Sequence, residues 1–383
     1  DVLGRAGAWC GQNKYLSAIK NAFQNFMPLT IAGAIGVLWC NVLVNDQTGL
    51  GLFFKPIMAL DFLNPAFQAV NFCTISCITV GITLGIAQEI GIWNMGAEKA
   101  GYIPGLVGLA AWLSVTNTSH MVDGAKEAFT GIAGNELGAT GLFTGMIIGV
   151  LSVELFCFFE KQDALKIKMP EQVPPGVARA FEVLVPATIT LIITACIGSA
   201  CYNLTGLYLN DVIKNGIQGP LGAVGATIPG VMIIYLVIML FWLVGIHGNN
   251  MLSAVKEALF TPLALENVEK FNKGEKPTNI INMYALQMWG EFGGSGVTIG
   301  LVIAIMIFGK REDNKAIATL SLVPGLFNIN ETVTFGIPMV LNPILGIPFV
   351  VTPLITIIIG YVLTVIGFCP VACLTVPWTT PPI

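Results

Sequence analysis

Long apolar runs separated by short polar stretches dominate this chain. They fall at about 27–45, 66–90, 102–116, 136–159, 183–203, 221–244, 280–308 and 343–368. As helices, most are long enough for a hydrocarbon core of roughly 30 Å. Several carry Gly or Pro inside. Two further stretches, 317–340 and 370–383, are too interrupted for ordinary spans and read as re-entrant segments, since broken backbone at membrane depth survives only inside protein or beside a wet cavity. Ahead of the first run, residues 1–25, with Ile19, Phe23 and the adjoining Phe26 on one side and Lys20 and Asn25 on the other, read as an interfacial amphipathic helix. The connector 203–219 places Leu207, Leu209, Val212 and Ile213 near helical spacing and predicts a second segment along a membrane face. The fold class is all-α: a polytopic membrane protein with about 8–10 transmembrane helices and amphipathic interfacial helices.

Composition agrees with the pattern. Of 383 residues, 55% are hydrophobic and 10% charged, with a mean hydropathy of +0.78, so a water-facing surface cannot be covered. The balance of 18 basic against 22 acidic residues offers no basic field, which excludes nucleic acid as a partner. The nine cysteines lie mostly in apolar runs without metal-ligand spacing; Cys73 and Cys77 share a helix face and read as small core residues. The chain opens on a polar stretch without the form of a cleavable signal peptide. No phosphate-binding loop, H-E-x-x-H or nucleophile-elbow motif occurs, and no cofactor or metal is expected.

Loop charges set an orientation in the first half. Arg5, Lys14 and Lys20 before the first run, Lys99 after the second, and Lys161, Lys166, Lys168 and Arg179 after the fourth all become cytoplasmic under the positive-inside rule. In the second half the rule conflicts with itself. Lys270, Lys273 and Lys276 precede the run at 280, while Lys310, Arg311 and Lys315 follow it, so that segment does not cross once as a simple helix. The charged linker 160–175 divides the hydrophobic chain in two, and the domain reading is 1–205 and 206–383.

The candidate chemistry lies in the second part. From Ala316 to Ile383 the one ionisable acid is Glu331, with no Lys, Arg or His, and it is flanked by Asn328 and Asn330 between helix-ending Gly and Pro residues. A carboxylate at bilayer depth costs roughly 2.5–3.5 kcal/mol, so it is a functional candidate, with an interfacial helix end as the plainer alternative. His247 repeats the pattern in Phe241-Trp-Leu-Val-Gly-Ile-His-Gly-Asn-Asn250, where Gly245 and Gly248 open the backbone to a ligand and Asn249 and Asn250 add amides. Acceptors, donors and aromatic faces suit a neutral polyhydroxyl ligand, and Trp242 and Trp378 are candidate stacking surfaces or interfacial belt residues. Each lone polar group at this depth needs a partner, so His247 and Glu331 are expected to face one cavity, lined also by Asn249, Asn250, Asn328 and Asn330, with room for a sugar ring between them. Glu89 and Glu154 read as structural, Glu291 beside the glycine cluster stays open, and His120 reads as solvated.

Three motifs in order then carry a resemblance: Gly245-Ile-His-Gly-Asn249, Gly293-Gly-Ser-Gly-Val-Thr298, and Leu322-Val-Pro-Gly-Leu-Phe-Asn-Ile-Asn-Glu331 followed by Phe335-Gly-Ile-Pro-Met-Val-Leu-Asn-Pro-Ile-Leu-Gly-Ile-Pro-Phe349. The chain resembles the lactose/cellobiose/diacetylchitobiose branch of the enzyme IIC permeases of the bacterial phosphoenolpyruvate-dependent sugar phosphotransferase system. It departs from that pattern at Thr332, where the family usually has Pro, and family members generally continue beyond the position of Ile383. The resemblance implies a dimerising N-terminal bundle and a C-terminal transport domain with two re-entrant hairpins around the sugar. It also implies a multi-pass protein of the bacterial cell membrane, working as a homodimer and as part of a sugar phosphotransferase. The substrate would be a β-linked disaccharide whose 6-hydroxyl is phosphorylated by a cytosolic IIB subunit, itself charged by IIA; both should be separate chains. Carried over by motif, His247 and Glu331 contact sugar hydroxyls, with Glu331 near the one that receives phosphate. Gly248, Asn249, Asn250, Gly294, Ser295, Asn328, Asn330, Trp242 and Trp378 complete the implied site. An intramembrane Glu and His also suit the proton relay of a sugar symporter, which is the alternative reading.

Overall fold

The computed structural model describes residues 5, 9, 12–46, 50–120, 129–170, 172–337, 339, 342–374, 378 and 380. Regular structure among them is helical except for one short antiparallel pairing of β1 (Ser119–His120) with β2 (Phe129–Thr130), Ser119 opposite Thr130 and His120 opposite Phe129. Among these residues 4 helices are long and apolar enough to cross a membrane, or up to 6 if each of two bent pairs counts as one span. The all-α membrane architecture is thus present, with breaks in several helices. The chain forms two compact units: one of Asp1–Asn13, Ile31–Ala69 and Leu221–Ile383, the other of Lys14–Thr30 and Val70–Pro220.

The second of these units is built on α1 (Lys14–Leu38), α2 (Ile78–Met95), α3 (Ile103–Val115), α4 (Ala139–Glu160) and α5 (Pro175–Thr205), with α1 belonging to it as far as Thr30. Ile82, Ile86, Ile90 and Trp112 are fully buried. The helices approach closely at small residues: a Cβ added at Gly108 or Gly145 would come within 2.3 Å of Ala87 or 2.2 Å of Thr83, the kind of packing that holds helices together where lipid removes the hydrophobic drive. Several charges are answered inside the unit. Lys14 pairs with Glu154 at 2.6 Å, Asn21 donates to Glu89 at 2.8 Å, and the buried Glu160 accepts from Lys99 at 2.8 Å and Arg179 at 2.9 Å.

Those pairings correct one expectation. The helix over 14–25 and the first span are one continuous helix: Lys14 meets Glu154 of α4, Asn21 meets Glu89 of α2, and Phe26 lies over Gly81 of α2. Most of residues 1–13 lie outside the described residues. His120 is half-buried rather than solvated, tilted against Phe129 at 5.6 Å between ring centroids, while the neighbouring Asp123 lies outside the described residues. Cys73 is exposed and Cys77 half-buried, so neither is a core residue; the local helix there is a π turn over Phe72–Ser76, which rotates the spacing away from one face.

The other unit carries α6 (Ile228–Leu243), α7 (Gly248–Asn272), α8 (Met283–Gly290), α9 (Ile299–Phe308), α10 (Glu312–Leu326), α11 (Glu331–Gly336) and α12 (Pro343–Val365). The apolar run at 280–308 is two helices of 8 and 10 residues, about 12 and 15 Å long and each well short of a bilayer core. Its break explains why the loop charges on either side conflict. The 25-residue α7 is absent from the apolar pattern, because Asn249, Asn250, Lys256, Glu257 and Asn267 interrupt it. These polar groups are met by protein. The buried Asn267 donates to the carbonyls of Asn279 at 2.9 Å and Ala372 at 3.0 Å, and Asn282 caps α8 by accepting from the amides of Tyr284 at 3.0 Å and Ala285 at 3.2 Å. The stretch at 370–383 shows no helix among its described residues; Ala372 is held by Asn267 and Asn282 instead.

Candidate functional site

The candidate site forms where several helix ends of one unit meet. His247 is the N-cap of α7, and its Nδ1 accepts the backbone amide of Asn250 at 3.3 Å, satisfying one of the orphan donors of the first turn. With Nδ1 occupied as an acceptor, the neutral ring carries its proton on Nε2. That nitrogen lies 3.6 Å from Glu331 Oε1, and the two side chains are 37% and 47% exposed. This is close enough for charge coupling and longer than a direct hydrogen bond. Residues 84 positions apart in the chain are thereby brought together. A sugar ring does not fit between tips 3.6 Å apart; a ligand would lie across both instead of separating them.

Beneath His247 sits Trp242, buried at 1% exposure, with ring centroids 4.3 Å apart. Its indole also meets Phe335 and Phe349, and its neighbours Ile238, Met239, Val302, Val333 and Ile337 form the apolar floor. Trp242 is a support under the imidazole. Gly248 makes its closest approach to protein: a Cβ there would stand 2.0 Å from the Ile238 carbonyl oxygen, so the residue lets α7 start against α6.

The loop from Glu291 to Thr298 forms the opposite side. Ser295 is buried and accepts from Asn249 Nδ2 at 3.0 Å through its hydroxyl, while its carbonyl accepts from Asn330 Nδ2 at 2.6 Å. Gly294 stands at φ +91, and a Cβ there would press on Asn330 at 2.6 Å, so neither the backbone nor the space admits a side chain. Asn328 accepts the Gly293 amide at 2.7 Å and donates to the carbonyls of Trp378 at 2.5 Å and Thr380 at 3.2 Å. Asn250 and the Trp378 side chain are exposed. Two non-glycine residues, Val297 at φ 54 and Asn328 at φ 61, hold left-handed backbone on the two loops that meet here. Such conformations cost about 1–3 kcal/mol each and cluster at ligand clamps.

Sequence reasoning missed two parts of this arrangement. One is the aromatic support of Phe335 and Phe349. The other is a buried ion pair in which Lys256 of α7 donates to Glu291, joined by the Tyr235 hydroxyl at 3.0 Å. The signal was available: a lone base and an undecided acid in otherwise apolar surroundings must find each other. Among the described residues no cluster of His, Cys, Asp or Glu could hold a metal ion.

With this geometry in hand, comparison with known proteins is decisive. The model of the family described as "Phosphotransferase system, EIIC" matches residues 20–353. The chain belongs to the EIIC family of the phosphotransferase system. It is 32% identical to an oligo-beta-mannoside-specific EIIC component of Bacillus subtilis, covering 96% of this chain and 82% of that protein. A cellobiose-specific EIIC component of Lactococcus lactis subsp. lactis is 30% identical, covering 97% of this chain and 87% of that one. Among solved structures, the transporter ChbC, the IIC component of an N,N'-diacetylchitobiose-specific phosphotransferase system, superposes with a TM-score of 0.88 at 30% identity over 98% of this chain and 86% of its own. This EIIC chain is an integral membrane permease.

Proposed function

We propose that this EIIC chain binds a β-linked disaccharide of the diacetylchitobiose or cellobiose type, carries it inward across the bacterial membrane and presents its 6-hydroxyl to phosphorylated IIB. The names of the relatives support the substrate class. The observation that carries the chemistry is the pairing of His247 Nε2 and Glu331 Oε1 at 3.6 Å, both partly open to a ligand. Glu331 accepts the proton of the attacking hydroxyl, the hydroxyl oxygen forms a bond to phosphorus, and the bond from phosphorus to the IIB cysteine sulfur breaks. The His247 Nε2–H donates to a neighbouring sugar hydroxyl and holds the ring in register. Ser295, Gly294, Asn249 and Asn330 shape the opposite wall, Asn328 fixes the loops, Trp242 supports the imidazole, and Asn250 and Trp378 reach the ligand from the rim. Residues 206–383 carry transport, 1–205 carry dimerisation, and IIA acts through IIB.

The test is Glu331→Gln, which keeps the shape and removes the base. Sugar binding should persist while transfer from phospho-IIB falls by about 100-fold, the scale of a positioned general base. Lost binding with normal transfer of whatever still binds would make Glu331 a ligand contact only. Accumulation of unmodified sugar driven by a pH gradient would favour symport.

A further inference from the structure

We infer that Lys256, Glu291 and Tyr235 form a largely buried positioning triad that fixes the Glu291–Thr298 loop, and through it the buried Ser295 and Asn330 that adjoin Glu331. The inference rests on the reading of that loop as one wall of the sugar site. Three elements meet in the triad: α6 supplies Tyr235, α7 supplies Lys256, and Glu291 is the first residue of the loop. Glu291 Oε1 receives the Lys256 ammonium and lies 3.0 Å from the Tyr235 hydroxyl, which is also 3.2 Å from the Leu286 carbonyl. The single hydroxyl proton goes to the carboxylate, the stronger acceptor. Lys256 and Tyr235 are buried, and the Lys256 ammonium lies 5.6 Å from the centre of the Tyr235 ring. The next residue, Glu257, is turned to Thr261 of its own helix, so Glu291 is the acid that answers Lys256.

The connection to the sugar wall is short. The Glu291 carbonyl accepts the Gly294 amide at 2.9 Å, so the turn is anchored at the residue whose side chain the triad holds. The backbone just before it has no slack, since a Cβ at Gly290 would stand 2.5 Å from the Tyr235 ring. Ser295 follows directly and carries the contacts to Asn249 and Asn330, next to Glu331. A buried ion pair adds little net stability compared with an apolar replacement, but removing one partner leaves an unpaired charge. That asymmetry suits a device that sets register.

The experiment uses the full chain in membrane vesicles with phosphorylated IIB and IIA, and with cellobiose and diacetylchitobiose as probes. Sugar KM, kcat and thermal midpoint are read for Lys256→Met, Glu291→Gln, the double variant, Tyr235→Phe and, as reference, Glu331→Gln. Each single charge variant should raise KM by about 10-fold, the double should return to within about threefold of the unaltered chain, and Tyr235→Phe should raise KM by about threefold. A merely structural role would lower the thermal midpoint and leave KM in place. Tyr235→Phe removes one hydrogen bond only, so it keeps the test decisive where a charge variant does not accumulate. An unchanged KM in Tyr235→Phe, or a double variant no better than its worse single, overturns the triad. If Glu331→Gln transfers normally, the reading of the site fails instead, whatever the triad variants do.

Discussion

The two units of this EIIC chain answer acids by the same means, and one pair in one unit stands apart. In the unit built on α2 to α5, three acids have protein partners: Glu160 is held by Lys99 and Arg179, Glu154 by Lys14, and Glu89 by Asn21. In the other unit Lys256 and Glu291 are closed in the same manner, while His247 and Glu331 face each other at 3.6 Å and stay 37% and 47% exposed. A polar group at membrane depth is stable when fully met by protein. Leaving one pair partly unmet is costly and needs a ligand or water to complete it. Burial and ion pairing alone therefore do not single out His247 and Glu331; a partly open pair beside left-handed backbone does.

This contrast can be broken by substitution. Gly294→Ala should have the largest effect, because left-handed backbone and contact with Asn330 together cost about 2–4 kcal/mol at the loop proposed as the sugar wall. The expected result is a loss of sugar binding, measured by titration, with the other unit still folded. Retained binding would mean that the wall is not where the Ser295 contacts place it.

Glu160→Gln sharpens the other side of the comparison. It removes the acid shared by Lys99 and Arg179, which remain partly exposed at 44% and 17%, so the loss is nearer about 2 kcal/mol than the 3–5 of a fully buried pair. The thermal midpoint should fall while sugar affinity in the surviving protein stays the same. A change in affinity without a change in midpoint would erase the distinction between the units.

The smallest effect is expected for Val297→Gly. It relieves a β-branched residue at φ 54 and should stabilise the fold by up to about 1 kcal/mol, offset in part by the greater freedom of glycine in the unfolded chain. Unfolding measured with sugar should then show a smaller stabilisation by ligand, since strain released beforehand no longer holds the loop ready. An increase in ligand stabilisation would argue against stored strain at this loop.

Much of the architecture was legible in residue order. Apolar runs marked the long helices, and conflicting loop charges marked the broken segment at 280–308. Glu331 and His247 stood out because a lone ionisable group in an apolar stretch is expensive wherever it ends up. The three motifs then indicated the family. Less legible were α7, whose polar residues hide its periodicity, and the continuity of α1, whose polar residues read as interfacial until Glu154 is seen opposite Lys14 and Glu89 opposite Asn21. The grouping of 31–69 with 221–383 depends on contacts between segments far apart in the chain.

What the sequence by itself determined was the set of costs: which stretches must avoid water, which backbone positions must break, and which polar groups cannot stand alone. Tertiary structure decided how each cost was met. It gave Lys256 to Glu291 and Tyr235, placed Trp242 under His247, used Asn328 and Asn330 to tie loops, and left Nε2 of His247 facing Glu331. Burial cost is a property of a residue type and can be read along a chain, whereas the partner that offsets it is a point in space, set only when distant helix ends meet.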